Sequence, residues 1–209
     1  MRAFARPAPM DTPAEPESSP PPLRVGIILG STRPGRRGEA VARWVYDIAK
    51  KRSDAQFELV DLKDYALPLL DTPIPPAAGQ PHPPHVVAWA EKVASLDAYV
   101  FVTPEYNHST SGVLKNAIDY LFYEWANKAA GFVSYGSSGG VRAVEHLRLI
   151  MAEVHVATVR AQAWFASAYD FDSNRAFRPS ANKERSVSTM LDQVVAWGRA
   201  LRTVRADEQ

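Results

Sequence analysis

The chain has 209 residues, 46% hydrophobic and 22% charged, with 24 lysines and arginines against 23 aspartates and glutamates for a net charge of +1. This is the composition of an ordinary globular chain; it excludes a wholly disordered one, and a protein built mainly to hold nucleic acid would carry a stronger basic excess. No apolar run approaches the ~18 residues of a membrane-spanning helix, and the lack of cysteine excludes disulfides, thiolate metal sites and a cysteine nucleophile while fitting a cytoplasmic setting.

Met1 to Pro22 holds seven of the seventeen prolines and almost no large apolar residues. Proline at that density prevents both helix and central strand, so a disordered tail is expected over residues 1–22. The stretch lacks the apolar centre of a secretory signal. A single domain is expected over residues 23–209.

From Leu23 the pattern alternates. Arg24 to Leu29 is a short apolar run ending at Gly30, a buried strand. Gly38 to Arg52 carries Val41, Trp44, Val45 and Ile48 at helical spacing. Phe57 to Val60 is a second strand. Pro68 to Pro84 is proline-rich and reads as a long surface loop. His85 to Leu96 predicts a helix with Val86, Trp89, Val93 and Leu96 on one face. Ala98 to Val102 is the third and most apolar strand. Val113 to Trp125 predicts a helix with Leu114, Ile118, Leu121 and Phe122 inward. Ala129 to Tyr135 is a fourth strand, Val141 to Glu153 a helix, Thr158 to Phe165 a fifth strand and Glu184 to Leu201 a terminal helix.

Five strands separated by helices, apolar on both faces, predict an α/β fold with a doubly wound parallel sheet covered on both sides. Ligands of such sheets bind beyond the carboxyl ends of the strands, near the switch point. Three loops therefore matter. Gly30-Ser31-Thr32-Arg33-Pro34-Gly35-Arg36-Arg37-Gly38 opens the first helix. Glycines, hydroxyls, arginines and a helix N-terminus at one place suit a phosphate monoester. The loop is neither a Walker A motif nor the Gly-x-Gly-x-x-Gly dinucleotide fingerprint. The plainer alternative is a solvated basic turn.

The second loop, Thr103 to Gly112, offers a flat ring on Tyr106 and an amide on Asn107, which suit a planar heterocycle stacked and read along one edge. Ser109, Thr110 and Ser111 are candidates to cap the following helix. His108 is a candidate acid or simply polar surface. The third loop, Tyr135-Gly136-Ser137-Ser138-Gly139-Gly140, is rich in backbone donors. His82 and His85, without cysteine or enough nearby carboxylates, do not make a metal site.

These three loops, together with the run Pro104-Glu105-Tyr106-Asn107 to Lys115-Asn116-Ala117-Ile118-Asp119, resemble the NAD(P)H-dependent FMN reductase family, which includes quinone, chromate and azo-dye reductases. The resemblance implies a flavodoxin-like fold, bound FMN and NADPH or NADH as electron donor to a small acceptor such as a quinone. It implies that Ser31, Arg33, Arg36, Arg37 and Gly38 hold the phosphate, leaving open which later arginine touches it. It implies that Pro104, Glu105, Tyr106 and Asn107 border the isoalloxazine, and that Ser137, Gly139 and Gly140 meet its far polar edge. No acid or base side chain is required. A homodimer or homotetramer is expected, because such flavoproteins are commonly dimers and the predicted helix from Val113 to Trp125 is apolar over more than one face. The alternatives are a flavodoxin-type electron carrier, whose acidic surface this charge does not match, and a non-catalytic flavin-binding redox sensor.

Overall fold

The computed structural model describes residues 21–207; the proline-rich stretch from Met1 to Pro22 lies outside them apart from its last two residues. In chain order the elements are β1 (Arg24–Leu29), α1 (Gly38–Ala49), β2 (Gln56–Asp61), α2 (Pro84–Ala94), β3 (Ala98–Pro104), α3 (Gly112–Asp119), β4 (Lys128–Gly136), α4 (Val141–Glu153), β5 (Val156–Ala166) and α5 (Asn182–Asp207). The strands form one parallel sheet in the order β2-β1-β3-β4-β5. This is the flavodoxin-like arrangement, with its switch point between β1 and β3.

The alternation of side chains along β3 divides the interior in two. Ala98, Val100 and Val102 join the core under α1 and α5. Tyr99 and Phe101 join the core under α2, α3 and α4. Every residue of β3 is buried, as expected of a central strand covered on both faces.

Two helices differ from the sequence expectation by more than three residues at one end. The helix expected from Val113 to Trp125 ends at Asp119, and the chain then turns. Trp125 is buried with its ring centroid 4.9 Å from Tyr99 and 5.8 Å from Trp89. Its indole N–H donates to the Ile118 carbonyl at 3.2 Å, satisfying an acceptor at the helix end. Tyr120 and Leu121 are also buried, so most of the apolar surplus of this segment belongs to the core, and of its large apolar residues only Val113 and Tyr123 are exposed. α5 runs past Leu201 to Asp207, because Arg202 and Arg205 in its last turns both pair with Asp97. Ion pairs leave no trace in an apolar period.

The Pro68–Pro84 segment is anchored on α3 and the turn after it. Asn116 donates to the Pro68 carbonyl at 2.6 Å and accepts from the Leu70 N–H at 2.9 Å. The Tyr120 and Tyr123 hydroxyls donate to Leu69 and Ala77 carbonyls.

Candidate functional site

Three strand ends meet at the switch point. Gly30, just past β1, donates its N–H to the Val102 carbonyl of β3 at 2.9 Å. A side chain there would press on Leu114 and on that carbonyl, so glycine lets the loop lie flat against α3. The backbone N–H groups of Ser31, Thr32 and Arg33 find no hydrogen-bond partner among the described residues. Gly35 takes a left-handed φ of +65° and turns the chain back into α1. Arg37 precedes that helix without a side-chain cap, so its first N–H groups are unspent as well. Unspent donors beside a helix N-terminus are what an anionic oxygen cluster requires.

Ser31 is buried, and its hydroxyl lies 3.2 Å from the Tyr135 hydroxyl. Tyr135 was not singled out from sequence. It sits at the end of β4, and burial, only partly offset by the Ser31 hydrogen bond, pushes its phenol up to about 12. It is a neutral prop for the loop. A Cβ at Gly38 would strike that same hydroxyl, which explains glycine at the first position of α1.

The three arginines divide. Arg36 forms a two-pronged pair with Asp61 at the end of β2, 2.8 Å on one arm, and also donates to the Ser31 carbonyl. Burial opposes the charge on Asp61, but the hydrogen bonds from Arg36 and the Lys63 N–H outweigh it and hold the carboxyl below its ordinary range. Arg37 turns the other way, donating to the Ser167 hydroxyl at 2.9 Å with its guanidinium 4.7 Å from the Phe171 ring centroid. Its Nε is buried without a partner. Arg33 is exposed, 5.8 Å from the Tyr106 ring centroid, and makes no hydrogen bond or ion pair with a described side chain. The structure therefore separates the arginines that sequence grouped: Arg36 braces the loop, Arg37 reaches toward β5, and Arg33 remains available.

In the second loop, Tyr106 and Ser109 exchange backbone hydrogen bonds of 2.9 and 3.1 Å around a two-residue turn. Both turn residues, Asn107 at φ +48° and His108 at +74°, are left-handed, as a type I′ turn requires. Asparagine tolerates this; histidine is strained by it. Tyr106 stands partly exposed beside the turn. The Glu105 carboxylate, expected at the ring, instead accepts the Arg142 N–H at 3.2 Å and pairs with the Arg142 guanidinium. It caps α4, leaving only its backbone on the site side, where its N–H binds the Tyr135 carbonyl at 3.1 Å. Pro104 closes β3. Of the three cap candidates Ser111 caps α3, accepting from the Leu114 N–H at 3.2 Å. Thr110 bonds the Thr103 hydroxyl at 2.9 Å.

In the third loop Ser137 and Ser138 are exposed, while Gly139 and Gly140 are buried at φ +75° and +74°. A side chain on Gly139 would meet the Trp164 ring, and one on Gly140 the Tyr135 backbone. Both glycines serve close packing against β4 and β5.

Beside the β1 loop opens a cleft of about 560 Å³ whose walls include Thr32, Arg33, Lys63, Leu67, Tyr106 and Asn116. Sequence reasoning missed its β2 side, because Lys63 and Leu67 carry no motif. Among the described residues no three His, Cys, Asp or Glu side chains come together; His82 pairs with Glu124 and His85 with Asp71.

Residues 23–170 match the model of the NADPH-dependent FMN reductase family. The chain belongs to that family. It is 35% identical over 192 residues to an NAD(P)H-dependent FMN reductase of Nectria, covering 82% of this chain and 94% of that protein. It is 32% identical over 180 residues to an NAD(P)H:quinone oxidoreductase of Solanum tuberosum, covering 82% and 91%. Among solved structures it resembles the flavoenzyme NAD(P)H:(acceptor) oxidoreductase FerB of Paracoccus denitrificans, with a TM-score of 0.65, 23% identity and coverage of 85% and 98%. At that identity the likeness speaks for the fold.

Proposed function

We propose that this family member is an NAD(P)H-dependent oxidoreductase that works through bound FMN on small acceptors of the quinone class. The observation that carries the reading is the β1–α1 loop, with three successive N–H groups unspent beside a helix N-terminus and Arg33 unpaired. That donor set fits one terminal phosphate. The residues that would hold FMN are the backbone of Ser31 to Arg33, the Arg33 side chain and the first turn of α1. Pro104, Tyr106 and Asn107 would border the ring, with the Ser137 backbone at its polar edge.

Bound FMN supplies the two-electron relay between reduced nicotinamide and acceptor. The protein's part is position. The Arg36–Asp61 pair and the Ser31–Tyr135 contact brace the phosphate loop through groups of the protein itself. Glu105, by capping α4, ties the second loop to the third. Tyr106 presents an aromatic face at the cleft mouth. The absence of a second nucleotide-binding fold among the described residues leaves this face open to two small substrates in turn.

The proposed assembly is a homodimer, supported by the exposed Leu69, Leu70 and Val113 near the cleft. The proposed setting is the cytoplasm, with which a cysteine-free chain accords. No helix among the described residues is long and apolar enough to cross a membrane.

The test is direct. The purified protein should carry FMN, identified by chromatography after denaturation, and rapid mixing with NADPH or NADH should bleach it within seconds without any added protein. Steady-state kinetics with a quinone should be ping-pong. Released FAD, or no flavin even after reconstitution, would overturn the FMN assignment, and reduction only by a partner protein would replace the enzyme reading with the electron-carrier one.

A further inference from the structure

The cleft beside the phosphate loop has an uneven charge. The charged residues on its walls are Arg33 and Lys63, and no carboxylate lines it. The nearby acids face elsewhere: Glu39, Asp61 and Asp64 line a separate cleft of about 330 Å³ on the other side of β2, and Asp61 is held by Arg36. Lys63 is exposed; its ammonium makes no ion pair with a described residue, and its charge reaches Asp61 only as a minor, longer-range effect. The remaining walls, among them Leu62, Leu67 and Val113, are apolar.

We propose that this cleft receives the adenosine end of the nicotinamide donor, and that Lys63 selects NADPH over NADH by binding the 2′-phosphate. The inference rests on the functional reading above, which assigns Arg33 to FMN and leaves Lys63 the cation free for a second anion. In Rossmann dinucleotide sites a carboxylate binds the free 2′-hydroxyl of NADH and a cation the 2′-phosphate of NADPH, and the same charge logic applies to any site that meets the 2′ position. This cleft offers the cation without the carboxylate. A carboxylate at position 63 would reverse the preference, since it would accept from the hydroxyl and repel the phosphate.

The experiment compares wild type, Lys63→Ala and Lys63→Glu, each purified with its flavin. Binding of 2′,5′-ADP and of 5′-AMP, which differ only in the 2′-phosphate, is measured by calorimetry, and FMN content by absorbance. The wild type should bind 2′,5′-ADP more tightly than 5′-AMP. Lys63→Ala should lose about tenfold in 2′,5′-ADP affinity with 5′-AMP unchanged, the order of one charge-assisted contact. Lys63→Glu should lose more and shift kcat/KM toward NADH. FMN content should be equal in all three. Equal affinity of the wild type for the two nucleotides, or an unchanged ratio in Lys63→Ala at full FMN content, overturns the assignment of Lys63. A wild type that binds no FMN but still discriminates the nucleotides overturns the flavoenzyme reading and leaves the cleft assignment standing.

Discussion

The guanidinium of Arg36 grips the carboxylate of Asp61 with both of its terminal nitrogens, fastening the loop after β1 to the end of β2. The Arg36 side chain is 8% exposed and that of Asp61 29%. A pair so placed acts on the shape of the loop, and its guanidinium is already spent on protein acceptors.

Arg33 and Arg36 should consequently fail in different ways. Arg33→Ala should weaken FMN binding about tenfold to a hundredfold, the worth of a charge-assisted hydrogen bond, with little change in melting temperature. Arg36→Ala should lower stability by about 1–2 kcal/mol. Lys115→Ala should do neither, since Lys115 pairs with Asp119 on the exposed side of α3. Flavin-fluorescence titration and thermal melts of the three variants check this.

The same pair sets an acid limit. The folded Asp61 carboxyl lies below its unfolded value, so the pair's contribution is complete above an unfolded pKa of about 3.9 and is lost as pH falls through the lower folded value. In Arg36→Ala the part of the acid transition below about pH 4 should become shallower. Urea unfolding at stepped pH measures it.

Lys128 predicts a slope at the other end of the scale. It is buried at the start of β4, and burial, reinforced by Arg205 and opposed by Asp97 and Glu124, lowers its ammonium to about 7. Its Nζ donates to the Val93 and Ala94 carbonyls at 2.8 and 3.1 Å. Between about pH 7 and the unfolded value near 10.4 the unfolded chain binds the extra proton. Stability therefore gains a rising component across that window and none below it. Lys128→Met should remove that component, measured as the change in unfolding free energy between pH 7 and 9.5.

Gly38→Ala would set a methyl group against the Tyr135 hydroxyl, with the Ser31 Oγ 3.1 Å away. The expected result is a loss of about 1–3 kcal/mol of stability from overpacking, and weaker FMN binding as the loop is displaced. Adding Tyr135→Phe should recover part of both, because it removes the atom in the way. Melting temperature and FMN affinity of the single and double variants decide it.

Glu105→Gln should keep a side-chain acceptor for the Arg142 N–H but lose the ion pair, while Glu105→Ala loses both and leaves the start of α4 uncapped. Stability should fall in that order, with about 0.5–2 kcal/mol for the alanine variant. FMN binding should weaken less in both than in Arg33→Ala, since the carboxylate faces α4.

Apolar period and glycine placement determined much of this protein from sequence alone. Short continuous apolar runs and apolar residues at period 3.6 alternate five times, because each strand and helix must bury its own apolar residues, and that obligation is local. The loops after Leu29, Val102 and Tyr135 stood out for the same reason, since glycine and cap residues mark where a strand stops. The tertiary structure decided what no local pattern encodes. Trp125 left its helix because three distant aromatic residues, Trp89, Tyr99 and Phe101, surround it. Glu105 turned toward Arg142 and Arg36 toward Asp61, because an ion pair depends on which chain segments become neighbours. Lys63 joined Arg33 in one cleft only when β2 was laid beside β1. Side-chain burial is written along the chain, whereas the long-range pairing of charges is decided by which segments the fold makes neighbours.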